Sequence, residues 1–295
     1  MDIFINRSIL QICGGPVAVY EGGKSGAKTL ILLHGAMYDE SKLIWHNLAP
    51  RLAEEYHVVA IDFPRHGHSR PWPASTRMDR EFLDAIVDGV IAQLNLSNVT
   101  LIGLSLGGGV SISYTLKHPE VVESAVLINP GGLGDKVQQQ FLSWLFVATP
   151  GLLKWYTQYG GRFTHKKYRK SLSSVLTTGE KTKDFDMLVD LTEREAKAKA
   201  KYGEIALDDW QRYYLAPFKL KLNFLPELNK IDCPILLIHG EKDYLVNMHV
   251  TNEAASQIRN VKLVTINGAG HLAPLEKPAE VEDAILNWLK PTRKG

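Results

Sequence analysis

The sequence predicts an α/β protein with a mostly parallel sheet of about eight strands, helices on both faces and a helical segment inserted after strand 6. Three observations support this prediction. Wholly apolar runs, such as residues 29–33 after the initial threonine, are typical of strands covered on both faces. Such runs alternate with helix-compatible stretches over most of the 295 residues. The alternation stops between residues 131 and 230, where no convincing strand is found.

Six strands are predicted before the insertion. Residues 8–13 and 17–21 flank a Gly-Gly-Pro turn and predict a hairpin. The following strands are expected at 29–33, 57–61, 99–103 and 124–129, and helices at 41–54, 78–94 and 106–118. After the insertion, strands are expected at 235–239 and 261–266, and helices at 247–258 and 278–289. Proline at position 278 is typical of the first turn of a helix.

The insertion is predicted to be a helical cap of residues 131–230, and residues 1–130 and 231–295 form the core. The cap contains 15 of the 26 aromatic residues, which indicates an apolar packing unit rather than a disordered tether. It is mildly positive, with 17 basic and 11 acidic residues. Two pairs within it, Glu193 with Lys197 and Glu195 with Lys199, have the spacing of exposed ion pairs on a helix.

Composition excludes several classes of protein. A net charge of +2 from 34 basic and 32 acidic residues does not favour nucleic acid as a partner. No run approaches the ~18 apolar residues of a membrane span, and the N-terminus does not resemble a signal peptide. Two cysteines are too few for a disulfide framework. We therefore expect a cytoplasmic protein without cofactor or metal, and composition does not predict its oligomeric state.

Residues 99–109, V-T-L-I-G-L-S-L-G-G-G, place Ser105 between a predicted strand and a predicted helix. A serine on such a tight turn adopts a strained backbone, and its neighbours two positions away must lack side chains. Gly103 and Gly107 meet that requirement. The turn lifts the hydroxyl toward the N-terminus of the helix, whose free N–H groups favour negative charge on a bound oxygen. Ser105 is therefore a candidate nucleophile.

Asp243 and His271 are the candidate partners of Ser105. A serine needs a base to take its proton, and the base needs a third group to orient it. All three residues directly follow predicted strands, so they should meet at the carboxyl edge of a parallel sheet, in the order Ser, Asp, His. Asp62 also ends a strand and is the alternative carboxylate, although its context favours a loop brace.

Five stretches together resemble the α/β-hydrolase superfamily, on both flanks of the cap but not within it. They are H-G-A-M at 34–37, D-F-P-R-H-G-H-S at 62–69, G-L-S-L-G at 103–107, P-I-L-L-I-H-G-E-K-D-Y-L-V at 234–246 and G-A-G-H-L-A-P-L-E-K-P at 268–278. The resemblance implies the α/β-hydrolase fold and a catalytic triad of Ser105, Asp243 and His271. It also implies an oxyanion hole formed by the backbone N–H groups of Ala36 and Leu106. The same resemblance implies structural roles for three other histidines: His34, His66 and His239.

Departures from subfamily patterns narrow the predicted chemistry. Ser105 stands where haloalkane dehalogenases and epoxide hydrolases have a carboxylate. Leu106 stands where proline iminopeptidases tend to have tryptophan, and Ala36, Met37 and Leu272 differ from the pattern of carbon–carbon bond hydrolases. The resemblance therefore favours a serine esterase that cleaves small carboxylic esters through an acyl-enzyme. A carbon–carbon bond hydrolase, a perhydrolase and a non-catalytic ligand-binding receptor remain alternatives. The residues expected to line the substrate pocket are Met37, Tyr38, Trp144, Trp210, Tyr214 and Leu272.

Overall fold

The computed structural model describes residues 2–207 and 210–290, without the side chains of residues 210 and 211. One eight-stranded sheet organises these residues. The strands are β1 (Arg7–Ile12), β2 (Gly15–Gly23), β3 (Thr29–Leu33), β4 (His57–Ile61), β5 (Val99–Leu104), β6 (Val122–Ile128), β7 (Ile235–Gly240) and β8 (Val261–Ile266). Their order is β1-β2-β4-β3-β5-β6-β7-β8. The β1–β2 and β2–β4 pairs are antiparallel and all other pairs are parallel. The predicted fold class is confirmed.

The helices in the described residues are α1 (Ser41–Trp45), α2 (Leu48–Leu52), α3 (Arg80–Gln93), α4 (Leu106–Lys117), α5 (Gln140–Ala148), α6 (Leu152–Gly160), α7 (His165–Val175), α8 (Phe185–Tyr202), α9 (Trp210–Tyr214), α10 (Met248–Gln257), α11 (Ala273–Glu276) and α12 (Pro278–Leu289). Helices α3, α4 and α10 pack on one face of the sheet, and α1, α2 and α12 pack on the other. Alternate side chains of β3 point to opposite faces of the sheet. Leu30 and Leu32 pack on the face covered by α1, α2 and α12, and Ile31 and Leu33 pack on the face covered by α3, α4 and α10. All four side chains are buried because both faces are covered.

The single helix predicted over residues 41–54 is two short helices, α1 and α2. Pro50 accounts for the break. A proline within a helix has no N–H to donate and its ring collides with the carbonyl four residues earlier, which here belongs to His46. The chain therefore leaves the helix at His46 and Asn47 and starts α2 again at Leu48.

The stretch between β6 and β7 is helical, with α5 to α9 and one isolated bridge between Leu215 and Leu220 among its described residues. We call residues 131–230 the insertion. Helix α8 is its anchor, because Leu188 and Val189 are fully buried and belong to the same apolar cluster as the sheet residues Leu30 and Leu32. The insertion and this face of the sheet therefore share one hydrophobic core.

The expectation that Glu195 and Lys199 form an exposed pair is wrong. Both side chains are 1% exposed, and they lie 3.4 Å apart beneath α8. Glu195 pairs with Arg70, which also bonds to Glu204, and the Lys199 ammonium donates to the carbonyl of Arg65 at 2.6 Å. The spacing of four residues correctly predicts that Glu195 and Lys199 form an ion pair. It does not indicate which face of the helix is buried against the rest of the protein. The other pair, Glu193 with Lys197, lies at the surface as expected.

None of the helices in the described ranges is long and apolar enough to cross a bilayer.

Candidate active site

Ser105 occupies the turn between β5 and α4, with φ 51° and ψ −110°. Positive φ is unusual for a residue with a side chain, and such strain persists only where surrounding structure enforces it. Here two hydrogen bonds hold the turn: the Ser105 N–H donates to the Ile128 carbonyl at 3.0 Å, and the Gly131 N–H donates to the Ser105 carbonyl at 2.8 Å. The turn therefore fixes the direction of the Ser105 side chain at the carboxyl edge of the sheet.

The two glycines flanking Ser105 are required by space. A Cβ on Gly103 would lie 2.3 Å from the Gly107 carbonyl oxygen, and a Cβ on Gly107 would lie 2.1 Å from the Leu33 carbonyl oxygen. Both contacts are with backbone, which cannot rotate away. The close approach lets the Gly107 N–H donate to the His34 carbonyl at 3.1 Å, which joins the start of α4 to the loop after β3.

Asp243 and His271 come together although they are 28 positions apart in the chain. His271 Nδ1 lies 2.8 Å from Asp243 Oδ2, and the two side chains are 9% and 0% exposed. The second carboxylate oxygen of Asp243 accepts from the N–H groups of Leu245 at 2.7 Å and Val246 at 3.1 Å. An ionised carboxylate can only accept, so the neutral imidazole carries its proton on Nδ1 and leaves Nε2 as a proton acceptor.

Ser105 and His271 line the same cavity, which has a volume of about 360 Å³. Among the described residues, the Ser105 hydroxyl makes no hydrogen bond, so it is available to a molecule in this cavity. Contacts between a nucleophile and its base often tighten only when substrate is bound. The cavity is lined mostly by apolar side chains, among them Met37, Phe146, Leu207, Leu215, Leu220 and Leu245.

The backbone N–H groups of Ala36 and Leu106 differ from those of the residues beside them. Their neighbours are engaged: Gly35 N–H donates to Asp39 Oδ2 at 2.6 Å, and Gly107 N–H donates to the His34 carbonyl. Neither Ala36 nor Leu106 donates a backbone hydrogen bond to any described protein group. Leu106 is also the first residue of α4, where the helix leaves N–H groups without internal partners.

The alternative carboxylate, Asp62, lies in a different network. It accepts from the Ser41 N–H at 2.9 Å, the His68 N–H at 2.9 Å and the Tyr20 hydroxyl at 2.8 Å. Those bonds tie the loop after β4 to α1 and β2. Asp62 is thus a brace between loops, while Asp243 is the carboxylate at His271.

The three histidines interpreted as structural are all buried and bonded within the core. His34 Nε2 accepts from the Phe63 N–H at 2.9 Å, and its Nδ1 bonds to the Gly35 carbonyl at 2.6 Å. His66 bonds to the Pro64 carbonyl and His239 to the Thr251 hydroxyl. Burial lowers the pKa of each ring, that of His34 to about 4. These rings are therefore neutral near pH 7.

Asn129, at the end of β6, was not singled out by the sequence. Its fully buried carboxamide donates to the carbonyls of His271 at 2.8 Å and Gly270 at 3.2 Å, and it accepts from the Gly240 N–H at 2.9 Å. One side chain therefore joins the loop that carries His271 to the end of β7, just before Asp243. An asparagine after a strand is ordinary turn chemistry, so no sequence signal marked this role.

Glu276 links the insertion to the loop of His271. One of its carboxylate oxygens accepts from the Gly270 N–H at 2.9 Å, the Thr177 N–H at 3.0 Å and the Thr177 hydroxyl. The Thr177 hydroxyl oxygen also lies 2.9 Å from the Gly268 carbonyl oxygen. Thr177 lies in the insertion, after α7, so the insertion contacts the core directly beside the imidazole.

The structure places only some of the expected pocket residues in the cavity wall. Met37, with φ 64°, and Tyr214 line the cavity. Tyr38 instead packs against Gly160 of α6, Trp144 packs beside Phe141, and Leu272 packs against the hydrophobic core. The side chain of Trp210 lies outside the described residues. Adjacent positions point in different directions, which sequence proximity to the site does not reveal.

A family model for the alpha/beta hydrolase fold matches residues 28–278. Because this match covers most of the chain, the protein belongs to the alpha/beta hydrolase family. The strand order and the strained serine turn described above agree with that membership.

Individual relatives are distant. The chain is 27% identical over 279 residues to carboxylesterase YbfK of Bacillus subtilis (strain 168), covering 93% of this chain and 84% of that protein. It is 25% identical over 275 residues to the uncharacterized hydrolase YugF of the same organism, covering 90% and 91%. Among solved structures, a bacterial membrane phospholipase A described as a virulence factor superposes with a TM-score of 0.78 at 25% identity, covering 98% and 87%.

Proposed function

We propose that the protein is a serine hydrolase of carboxylic esters, with Ser105 as nucleophile, His271 as base and Asp243 as the group that orients the base. The observation that carries this proposal is the 2.8 Å contact between His271 and the buried Asp243 carboxylate, in a cavity that Ser105 also lines. A buried carboxylate beside an imidazole fixes its tautomer and stabilises its protonated form.

In the proposed reaction, Ser105 attacks the ester carbonyl carbon as His271 Nε2 takes the hydroxyl proton. The tetrahedral intermediate collapses when His271 returns the proton to the leaving alcohol, and the acyl group stays on Ser105. Water then attacks the acyl-enzyme, with His271 again accepting and returning a proton. Asp243 holds the imidazole in place throughout, because one carboxylate oxygen accepts from His271 and the other is fixed by two backbone N–H groups.

The oxyanion of each tetrahedral intermediate is proposed to bind the N–H groups of Ala36 and Leu106. Both groups lack a described protein acceptor and flank the elbow, one before it in the loop after β3 and one directly after Ser105. Donors held in place before the reaction stabilise developing charge at little reorganisation cost, and loss of one such donor costs about 3 kcal/mol in other enzymes.

The insertion is proposed to act as the cap of this site. Part of the cavity wall comes from the segment around α5 and part from the segment after α9, as Phe146 and Leu220 show. A cavity of about 360 Å³ lined mainly by apolar groups suits a medium-sized apolar acyl or alcohol group. The carboxylesterase among the relatives supports the choice of esters over other carbonyl compounds.

The test is a panel of p-nitrophenyl esters of increasing acyl length, combined with labelling by a fluorophosphonate. We expect the wild-type protein to release p-nitrophenol from these esters and to carry the label on Ser105 only. Ser105→Ala should lower the rate of hydrolysis about a thousandfold or more. Ser174→Ala, an exposed serine in α7, is the matched control and should retain activity and labelling.

A folded Ser105→Ala protein that hydrolysed the esters at the wild-type rate would contradict the proposal. Cleavage of a carbon–carbon bond next to a ketone, but of no ester, would favour the carbon–carbon bond hydrolase. Labelling of Ser105 without turnover of any substrate would favour a ligand-binding receptor.

A further inference from the structure

Helix α5 is apolar, yet one side of it is exposed to solvent. Its sequence, Q-F-L-S-W-L-F-V-A, has no charged residue, and within the described structure Gln140 is its one buried residue. Leu142 is 59% exposed, and Phe141 and Leu145 are also exposed. Amphipathic helices normally turn their apolar side toward the core. Here Phe146 and Val147 line the cavity, while Phe141, Leu142 and Leu145 face solvent. A contiguous exposed apolar patch of this kind indicates a binding surface.

The exposed face of α5 is part of a larger surface at the mouth of the cavity. Phe218, 74% exposed, stacks on Phe141 with 6.2 Å between ring centres. Leu245, in the loop after β7, is half exposed and also lines the cavity. We define the apolar rim as these exposed side chains around the entrance: Phe141, Leu142, Leu145, Phe218 and Leu245.

Three exposed lysines lie on one side of the apolar rim. Lys136, Lys219 and Lys221 are exposed, and the Leu220 N–H donates to the Asp135 carbonyl at 2.7 Å, which brings these lysines into one region. Asp135 is the one acidic residue among residues 131–170, which contain seven lysines and arginines. Four of these seven, Lys166, Lys167, Arg169 and Lys170, lie in α7 away from the rim. The stretches that carry the rim on this side, residues 135–145 and 218–221, contain three lysines and one aspartate, a local net charge of +2.

We propose that the apolar rim docks on the surface of an anionic phospholipid bilayer, with the cavity mouth facing the lipid. Apolar side chains would enter the boundary between headgroups and acyl chains, while the lysines contact lipid phosphates. The docking surface is continuous with the cavity, so an apolar molecule could pass between bilayer and cavity without crossing water.

Charge favours a lipid surface over a second copy of this chain. A twofold dimer built on the apolar rim would bring the Lys136, Lys219 and Lys221 clusters of both copies into one interface region. Like charges at a shared interface are unfavourable, whereas anionic lipid is complementary to them. A dimer would also close the mouth of the cavity.

The first experiment is sedimentation of the full-length protein with vesicles. We expect binding to vesicles of phosphatidylcholine with phosphatidylglycerol, and much weaker binding to vesicles of phosphatidylcholine alone. Leu142→Gln combined with Leu145→Gln should lower the partition coefficient about tenfold or more, because two leucines no longer enter the lipid. Lys219→Glu combined with Lys221→Glu should remove the preference for anionic lipid.

The matched controls change the same residue types elsewhere. Ile5→Gln with Ile9→Gln removes two exposed apolar side chains from the β1 edge, and Lys24→Glu with Lys262→Glu reverses two exposed lysines. Both control proteins should bind vesicles like the wild type. Hydrolysis of a water-soluble ester without vesicles should be unchanged in the rim variants, since none of their substituted residues lines the cavity.

Wild-type protein that stays in solution with anionic vesicles at low salt would overturn the proposal. Equal loss of binding in rim and control variants would do the same, because it would show non-specific adhesion. A dimer in sedimentation velocity that Leu142→Gln with Leu145→Gln dissociates, without vesicle binding, would assign the rim to a second copy. Ser105→Ala should still bind vesicles, so docking and the proposed hydrolysis can fail independently.

Discussion

Asn129 holds the two loops that carry Asp243 and His271, and its contribution can be measured. We expect Asn129→Ala to lower kcat for ester hydrolysis about tenfold to a hundredfold with little change in KM, because the imidazole loses its fixed position while the cavity wall is intact. Asn129→Asp should not restore kcat, since a carboxylate cannot donate to the carbonyls of Gly270 and His271.

The control is Asn47→Ala, which removes another buried asparagine, one that bonds to His46 and Lys183. It should lower stability without a selective loss of kcat. Equal kinetic effects in the two variants would show that Asn129 acts only through general stability.

His34 gives a pH dependence at the scale of one residue. Its Nε2 accepts from the Phe63 N–H, so protonation would place two N–H groups against each other. Burial lowers the folded-state pKa to about 4 from an ordinary value of 6.5. The unfolded chain therefore binds the proton first, and the stabilisation, fully present above the ordinary pKa, is lost as pH falls toward 4.

We expect this residue to contribute a loss of about 2 kcal/mol in unfolding free energy between pH 7 and pH 5. Urea titrations of the wild type and His34→Gln at both pH values isolate the effect, since the other groups titrate in both proteins. The Cε1 proton of His34 should keep its NMR chemical shift over this range. A shift that titrates near 6.5 would contradict the assignment.

The residues predicted correctly from sequence are those whose geometry is local. Gly103 and Gly107 are needed because of contacts within a single turn and the strand beside it. Strand direction placed Asp243 and His271 at the same edge of the sheet, and sequence context favoured Asp243 over Asp62 as the partner. Tyr38 and Leu272 were misplaced because the direction of a side chain in a loop depends on packing partners far away in the chain.

Among the elements, α8 depends most on buried charge. Arg70 is 4% exposed and bonds to both Glu195 and Glu204, so its removal leaves two buried carboxylates without this partner. We expect Arg70→Met to lower the unfolding free energy by about 3–5 kcal/mol, because an uncompensated buried charge is costly.

Arg51→Met is the control for that substitution, since Arg51 and Glu54 form a pair in which both side chains are about half exposed. Arg51→Met should lower the unfolding free energy by less than about 1 kcal/mol. Urea unfolding of both variants at the same pH measures the difference. Similar losses in the two variants would show that the cluster under α8 does not anchor the insertion.

Element boundaries were predictable where the chain carries local signals. Proline at 278 marked the start of α12, and the strand at 29–33 was predicted with the observed ends. The break at His46 was missed, although Pro50 four residues later provides its cause. The burial of Glu195 was not predictable, because a helix with charges on several sides does not show which side packs.

At the scale of the whole molecule, one apolar cluster includes both α8 and the sheet. We therefore expect the insertion and the core to unfold together. In native-state hydrogen exchange, the amides of Leu188 and Val189 should open with the same free energy as those of β5. The amides of α5 should exchange through a smaller opening, because its apolar side chains are not buried.

A lower opening free energy for α8 than for β5 would contradict this and indicate an insertion that opens independently.

The fold class itself was predictable, since alternating strands and helices dictate a parallel sheet. The arrangement of helices within residues 131–230 was not, because aromatic content shows that a segment packs without showing against what.

The bond network at Glu276 has a mechanical consequence. Because one carboxylate oxygen is shared by Thr177 and by the Gly270 N–H next to His271, movement of the insertion at Thr177 would disturb the loop that carries the imidazole. In the proposed reaction, a bulky acyl group that displaced the insertion would therefore slow proton transfer by His271 as well as widen the entrance of the cavity. Variants selected for larger substrates would therefore need a changed contact between Thr177 and Glu276 before their turnover rate could increase.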